Sequence, residues 1–477
     1  PLPFQPVLHQ QSQPDSVPAS FDIISSFFNH PECMDTKSRF QTKDIAKYPP
    51  CGDCRCGRCD WKWLHTQIID NGRKLLSRIF VDRIVLILSA AILASCRHAP
   101  DTLTSRAEQD SAYEMRFEKL MRDPGNFVYE PMEAVLGTSY HVALPSGGEE
   151  HFLPKALADA QNYAEINEST AFMIWYQGNL VHSWYAPGIQ ADTILNSKSL
   201  SKPLAAIAIG RAIMLGKIRG LDQPLSEIVT ELRGKLKGDI LVRHLLDMRT
   251  GLLDQSVSSD PAHPINRAYL DPDHGQYILD HYPMIDTPGS RYSYNNAAGD
   301  MVALIIEKAT GRRYAEFIGS EILSPLGARG GEVWTNHEGG LAHSGCCMKL
   351  PAESWLRMAV LLVQNGVWDG RQLLSSEYVA EMQLGTTQNR NFGLGIWLGE
   401  PYREKRGFGA SGTLGPKILQ SEPFLDPQMI MFDGNSSQTI FISPKHYLVI
   451  LRMGPTPPKN PGWDNAVLPN ILIRGLR

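Results

Sequence analysis

The sequence predicts an α/β (α+β) protein, with an antiparallel sheet assembled from both chain ends, flanked by helices, and a mainly helical domain inserted between the halves. Three observations carry this. A β-hairpin pattern spans 171–185, a second spans 438–453, and the stretch between them, 220–385, is chiefly helical in its periodicity. Of the 477 residues 43% are hydrophobic, enough for a sizeable core. The formal net charge of -4 and the absence of a basic stripe exclude a nucleic-acid-binding surface.

The chain opens with a segment, 1–83, that reads as a leader or a stretch outside the mature protein. Residues 84–95, Ile-Val-Leu-Ile-Leu-Ser-Ala-Ala-Ile-Leu-Ala-Ser, are too short to span a bilayer, which takes about 20 apolar residues. They have the length of a signal-peptide core, with Arg78 and Arg83 ahead of them. The run ends in Leu93-Ala94-Ser95-Cys96, which resembles a lipobox and makes Cys96 the expected site of lipidation. The expectation is an exported, periplasmic, membrane-anchored lipoprotein whose start lies further in, with Val81 the candidate. The competing reading is a buried helix that happens to end in cysteine. Cys51, Cys54, Cys56 and Cys59 put four thiols in nine residues. A zinc site is conceivable there, but the spacing is cramped and a removed leader is the reading preferred. Only Cys346 and Cys347 lie beyond Cys96, and as sequence neighbours they are not expected to form a useful staple.

In the mature part, 97–150 reads as a helical and linker segment with a polar helix over 102–122. A second helix is expected over 154–164. Ala171–Tyr176 and Leu180–Tyr185 then form a hairpin across Gln177-Gly178. The two sheet halves are 151–198 and 390–477; the helical domain is 199–389. Within it 199–214 is an almost wholly apolar helix, buried on all sides. Val242–Leu246, Ala297–Ala309 and Trp355–Gln364 follow, with Gly311 and Gly366 as C-terminal caps. A last helix covers 464–476.

The chemistry begins at Ser199-Leu200-Ser201-Lys202-Pro203, the mouth of the buried helix. Positions i and i+3 share a helical face, so Lys202 can reach the Ser199 hydroxyl. A serine is a weak nucleophile until a neighbour takes its proton, and a lysine in apolar surroundings is pushed toward its neutral, basic form. The bland alternative is a lysine snorkelling from a helix end. Tyr294 and Asn296 stand two residues apart in a turn before the next helix, where a phenol could relay a proton and an amide could hold a substrate carbonyl. Asn295 or Asn296 would also serve as a plain N-cap. No Gly-x-Ser-x-Gly and no His-Glu-x-x-His occurs, which argues against an α/β-hydrolase triad and a zincin. His182, His244, His343 and His446 are scattered and read as structural.

Ser-x-x-Lys, then Tyr-x-Asn 95 residues on, then a glycine-bearing strand near the end, resembles the class C β-lactamases, D,D-peptidases and related esterases. Leu245-Leu246-Asp247-Met248-Arg249-Thr250-Gly251-Leu252 and Leu323-Ser324-Pro325-Leu326-Gly327 resemble that family too. Gly345-Cys346-Cys347 with Gly366-Val367-Trp368-Asp369-Gly370 is similar to the 6-aminohexanoate-dimer hydrolase branch.

The resemblance implies a β-lactamase/transpeptidase-like fold and an acyl-serine hydrolase of small amides or esters, with Ser199, Lys202 and Tyr294 catalytic and Asn296 substrate-binding. It implies no metal and no organic cofactor. The family's Lys/His-x-Gly matches Phe432-Asp433-Gly434 here, with the glycine kept and the cation absent. Gly434 and Asn435 then line the site, and the amides of Asn435 and Ser199 form the oxyanion hole. Without the cation a true β-lactamase or D,D-peptidase is the alternative reading among enzymes, not the first. Asp433 is expected as a solvated turn residue, or else as an attractor of amines. Gly409-Ala410-Ser411-Gly412 is expected to be a loop near the site. The rival from another class is a non-catalytic binding or sensor lipoprotein on the same fold.

Overall fold

The computed structural model describes residues 105–124, 127–255, 258–409, 417–460 and 462–477. The leader, the apolar run with Cys96, the four-thiol cluster and Ala410-Ser411-Gly412 lie outside the described residues.

Helix α1, Arg106–Arg122, starts from a capping box in which Ser105 and Glu108 exchange backbone and side-chain bonds. Strand β1, Met132–Val135, and helix α2, Pro154–Ile166, follow, and Pro154 takes the first helical position. Strands β2, Ala171–Tyr176, and β3, Asn179–Tyr185, turn at Gln177 and Gly178, both at positive φ (47° and 99°). That geometry matches the twist of a tight hairpin. Strand β4 is Ile194–Asn196, and helix α3 is Ser201–Met214.

Helix α4, Asn296–Thr310, is capped by the Asn295 side chain and ends at left-handed Gly311. Strands β5, Gly331–Trp334, and β6, Lys349–Pro351, precede helix α5, Ala352–Val363. Strands β7, Trp397–Leu398, β8, Lys405–Gly407, β9, Lys417–Leu419, β10, Ile430–Gly434, β11, Gln438–Ser443, and β12, Leu448–Met453, lead to helix α6, Val467–Arg474.

The main sheet is antiparallel in the order β3-β2-β12-β11-β10-β7. Its first two strands come from before the helical insertion and the rest from after it, so the two chain ends meet at the β2–β12 ladder. Every residue of β10, β11 and β12 is buried, because the sheet is covered on both faces. Helix α5 packs against β11, β12 and β2, and α2 packs against α6. Thus α5, which falls within 199–389, lies on the sheet. A smaller sheet, β1-β5-β6-β4, joins the N-terminal segment to the insertion.

Helix α3 is buried along Ser201–Gly210 and again at Ala212, and it packs against α4. Each fully buried aliphatic side chain contributes about 1.5–3 kcal/mol, so the α3–α4 pair is a rigid base for anything its ends carry. The 198–200 turn that precedes α3 rests on β10 and β11. Among the described residues no helix is long and apolar enough to cross a membrane.

Candidate active site

Ser199 is the middle residue of a 3-10 turn, Lys198–Leu200, that runs into α3. Lys198 takes φ 50°, a left-handed conformation that costs a non-glycine residue energy and recurs at functional sites. The turn is held from three sides. The Lys198 amide donates to Asn196 Oδ1 (2.9 Å), its carbonyl accepts from Cys347 N (3.1 Å), and the hydroxyls of Ser197 and Ser201 bond at 2.9 Å. Ser199 itself stays partly open to solvent.

Lys202 lies one turn further on and is 3% exposed. Its Nζ is 3.3 Å from Ser199 Oγ and donates to Asn296 Oδ1 and to the Gly345 carbonyl, both at 2.6 Å. Burial penalises its charge and brings its pKa down to about 7, while the Asp300 carboxylate pulls the other way. Lysine snorkelling is overturned by this position: the chain cannot reach water, and its amine is fixed inward.

Tyr294 comes from the loop before α4. Lys202 Nζ sits 4.7 Å over its ring centroid. The ring stacks on Trp397 and meets Phe392 and Phe408 edge-on. The phenol oxygen is buried and has no hydrogen-bond partner. Burial raises its pKa above the usual tyrosine value, with the neighbouring Ser199 and the Arg406 charge opposing; at neutral pH it is a protonated phenol. Asn295 is the N-cap, which leaves Asn296 free to serve Lys202. The sequence assigned that amide to substrate. Its oxygen is occupied by the lysine, and only its NH2 remains for another partner.

On the opposite side stands the end of β10. A Cβ on Gly434 would lie 3.0 Å from the Ser199 amide nitrogen and 3.0 Å from the Ser197 carbonyl, so a side chain here would press on the nucleophile's turn. Asn435 follows, exposed, with Oδ1 accepting from Ser436 N (2.9 Å). Ser436 and Ser437 are left-handed (φ 65° and 55°). Their carbonyls are held by the buried Arg452 guanidinium at 2.7 and 3.2 Å. Ser199, Lys202, Tyr294, Asn296 and Gly434 therefore converge, and Asn435 borders them through its backbone. Cys96 lies outside the described residues.

One expectation is corrected. Asp433 is not a solvated turn residue. It sits within β10, 2% exposed, paired with Arg406 from β8. The guanidinium also covers Trp397 at 4.0 Å. An arginine from another strand thus stands beside the motif, already bound to a carboxylate, while Phe432 keeps the cation position apolar. Cys346 and Cys347 are bonded to each other, which joins sequence neighbours and staples no distant segments. Left-handed Cys347 (φ 72°) turns both sulfurs toward the Tyr269 hydroxyl, at 3.8 and 3.9 Å.

Sequence reasoning missed Asp300, Gly345, Arg406 and Arg452. Asp300 had a signal, since it follows Asn296 by four residues and so shares its helical face. Arg452 had one also, as a lone charge in an apolar strand. The four scattered histidines hold no contact with Ser199 or Lys202 among the described bonds; His244, for example, accepts from Leu241 N (3.2 Å).

His274, Asp300 and His343 are the one buried group among the described residues with metal-ligand chemistry. The imidazoles of His274 and His343 stack at 3.8 Å, 8° from parallel. Their lone pairs lie in two parallel planes, so a single ion cannot lie in both, and His343 Nδ1 is taken by Asp300 at 2.9 Å. The trio is built as an aromatic column with a hydrogen-bonded carboxylate, not as a chelate.

A family model described as Beta-lactamase matches residues 160–461. The 6-aminohexanoate-dimer hydrolase of Paenarthrobacter ureafaciens is 24% identical over 246 residues, which is 49% of this chain and 62% of that enzyme. Esterase EstB of Burkholderia gladioli is 28% identical over 156 residues, 30% of this chain and 38% of the esterase. A Bacillus anthracis protein described as a 6-aminohexanoate-dimer hydrolase has the same fold, with a TM-score of 0.53 at 19% identity over 72% of this chain and 88% of its own.

Proposed function

Because the chain belongs to the β-lactamase family, we propose that it is a serine hydrolase that cleaves small amides or esters through an acyl-serine intermediate. The observation that carries this reading is the buried Lys202 amine, 3.3 Å from Ser199 Oγ. With a pKa near 7 it is a base over much of the neutral range.

Ser199 Oγ attacks the carbonyl carbon and its proton passes to Lys202 Nζ. The amides of Ser199 and Asn435 receive the developing oxyanion. The Tyr294 phenol, above the lysine, relays the proton to the leaving nitrogen or oxygen as the acyl bond breaks. Water then attacks the acyl-serine, its proton returns through the same groups, and the acid leaves with Ser199 restored. Every step uses side chains and backbone amides of this protein together with water.

The family likeness supports hydrolysis of amide or ester bonds and leaves the acyl donor open. Phe432, standing where the family carries a cation, favours substrates without the carboxylate of a β-lactam. A simple ester, a linear amide and nitrocefin assayed side by side read this directly, and the expected order places nitrocefin last. Export with lipidation at Cys96 is part of the proposal and rests on the run 84–96. Mass spectrometry of the mature N-terminus tests it, and an intact peptide across Ser95-Cys96 refutes it.

The decisive experiment is labelling with a fluorophosphonate. The wild type should be modified at Ser199 and the Ser199→Ala variant should not. Absence of a serine-dependent adduct would favour a non-catalytic binding protein on this fold.

A further inference from the structure

We propose that Asp300 is the positioning residue of the general base, holding Lys202 in place through the backbone of Gly345, with His343 fixing the carboxylate from behind. The inference rests on the assignment of Lys202 as base.

The geometry is a single hydrogen-bonded line. His343 Nδ1 meets Asp300 Oδ2 at 2.9 Å; Asp300 Oδ1 accepts from the Gly345 amide at 2.9 Å; the Gly345 carbonyl accepts from Lys202 Nζ at 2.6 Å; and Nζ faces Ser199 Oγ at 3.3 Å. Asp300 and His343 are at most 1% exposed. A buried carboxylate persists only when its oxygens are bonded, and here both are, one to each neighbour.

The loop that carries Gly345 is also clamped to α4. Ser344 Oγ donates to the Gly299 carbonyl (2.7 Å) and accepts from Ala303 N (2.9 Å). A Cβ on Gly299 would lie 2.7 Å from Gly345 Cα. The loop thus has one seat, and Asp300 anchors the Gly345 amide, one Cα before the carbonyl that meets Lys202. His343 is locked in turn between the Trp334 and His274 rings, each at 3.8 Å. The column excluded above as a metal site therefore gains a role: it immobilises the imidazole that holds Asp300.

Charge follows the same line. The groups facing Lys202 are Ser199 from the turn before α3, Tyr294 and Asn296 from the loop and start of α4, Asp300 from α4, and the Gly345 carbonyl from the 343–348 loop. Asp433 and Arg406 act on Tyr294. Among the described residues Asp300 is the anion acting on Lys202, and it opposes the burial that would otherwise discharge the amine. Without it the base would still be present but weaker.

The test is the pH dependence of fluorophosphonate labelling of Ser199 in the intact protein. Asp300→Asn keeps the size of the side chain and removes the charge. The acid limb of the labelling rate, set by deprotonation of Lys202, should move to lower pH by roughly one unit, and the plateau rate should fall about tenfold. A role confined to folding would lower the melting temperature and leave the limb where it is, and that result overturns the proposal. Should Asp300→Asn not accumulate as folded protein, Gly345→Ala carries the test. Its methyl would meet Asp300 Oδ1 and the Asn296 carbonyl at 3.1 Å, turning the peptide away from Lys202, and the limb should again move to lower pH. Lys202→Ala separates the two ideas. If it still labels with the wild-type acid limb, the assignment of the base has failed. If it is silent while Asp300→Asn keeps the wild-type limb, only the positioning role has failed.

Discussion

The amine of Lys202 lies 4.7 Å above the ring of Tyr294, and the phenol oxygen of that ring is buried with no hydrogen-bond partner. A buried hydroxyl without a partner costs about 1–3 kcal/mol of desolvation. Tyr294→Phe keeps the ring against Trp397, Phe392 and Phe408 and removes that cost. The melting temperature should hold or rise, while turnover of an ester substrate should fall about 100-fold or more through loss of the proton relay. Thermal denaturation beside steady-state kinetics reads both. A variant that loses stability and keeps its rate would make the hydroxyl a structural group.

Lys202 ties stability to pH with a definite sign. Its folded pKa, near 7, is below the value of about 10.4 for a solvated lysine. Between those two values the unfolded chain binds more protons than the folded one, so stability rises with pH across that window. Below pH 7 the lysine is charged in both states and its contribution is flat. Compared with Lys202→Met, which cannot titrate, the wild type should gain stability from pH 7 to pH 9, by up to about 1.4 kcal/mol per unit. Urea midpoints of the two proteins over that range check it. Parallel curves would mean that the lysine is charged in the fold.

Much of this was legible in the sequence. The hairpins 171–185 and 438–453 alternate or run apolar between turn residues, so local pattern alone sets them. Ser-x-x-Lys was readable because an i, i+3 pair is close in any helix. Tyr294 and Asn296 could be named from spacing, but the division of labour could not. Asn295 takes the cap, and Asn296 turns its oxygen to a lysine 94 residues earlier in the chain. Asp433 was misread because a charge beside a glycine usually marks a turn. Its partner Arg406 lies 27 residues away on another strand, and no local rule joins them. Gly345 acts through a backbone carbonyl, for which side-chain chemistry gives no signal.

The Asp433–Arg406 pair yields a third prediction. Both groups are nearly inaccessible, and breaking such a pair leaves a buried charge at a cost of about 3–5 kcal/mol. Arg406→Leu should therefore destabilise strongly. Burial already raises the pKa of Asp433, with the Arg406 charge opposing; without the arginine it rises further. A carboxylate whose folded pKa lies above its unfolded value loses stability as pH rises between the two, so the deficit should be larger at pH 8 than at pH 5. The double variant Arg406→Leu/Asp433→Leu should recover most of the loss. Denaturation of the single and double variants at the two pH values decides it, and a double variant as unstable as the single one would show that the strand needs the pair for its shape.

Gly434 offers the sharpest test of the oxyanion side. Its φ of -133° is ordinary extended backbone, so alanine meets no torsional strain there. The obstacle is space: the methyl would lie 3.0 Å from Ser199 N, 3.0 Å from the Ser197 carbonyl and 3.1 Å from Leu200 Cδ1. Two of those three atoms are backbone in a turn held on several sides, so the strand end must yield by a few tenths of an ångström. Stability should fall by only about 1–2 kcal/mol. The Ser199 and Asn435 amides, however, would no longer aim at one point, and misaligned oxyanion donors cost about 100-fold or more in rate. Gly434→Ala should therefore remain folded, bind substrate with a similar KM and lose kcat. A kcat equal to that of the wild type would place the oxyanion donors elsewhere.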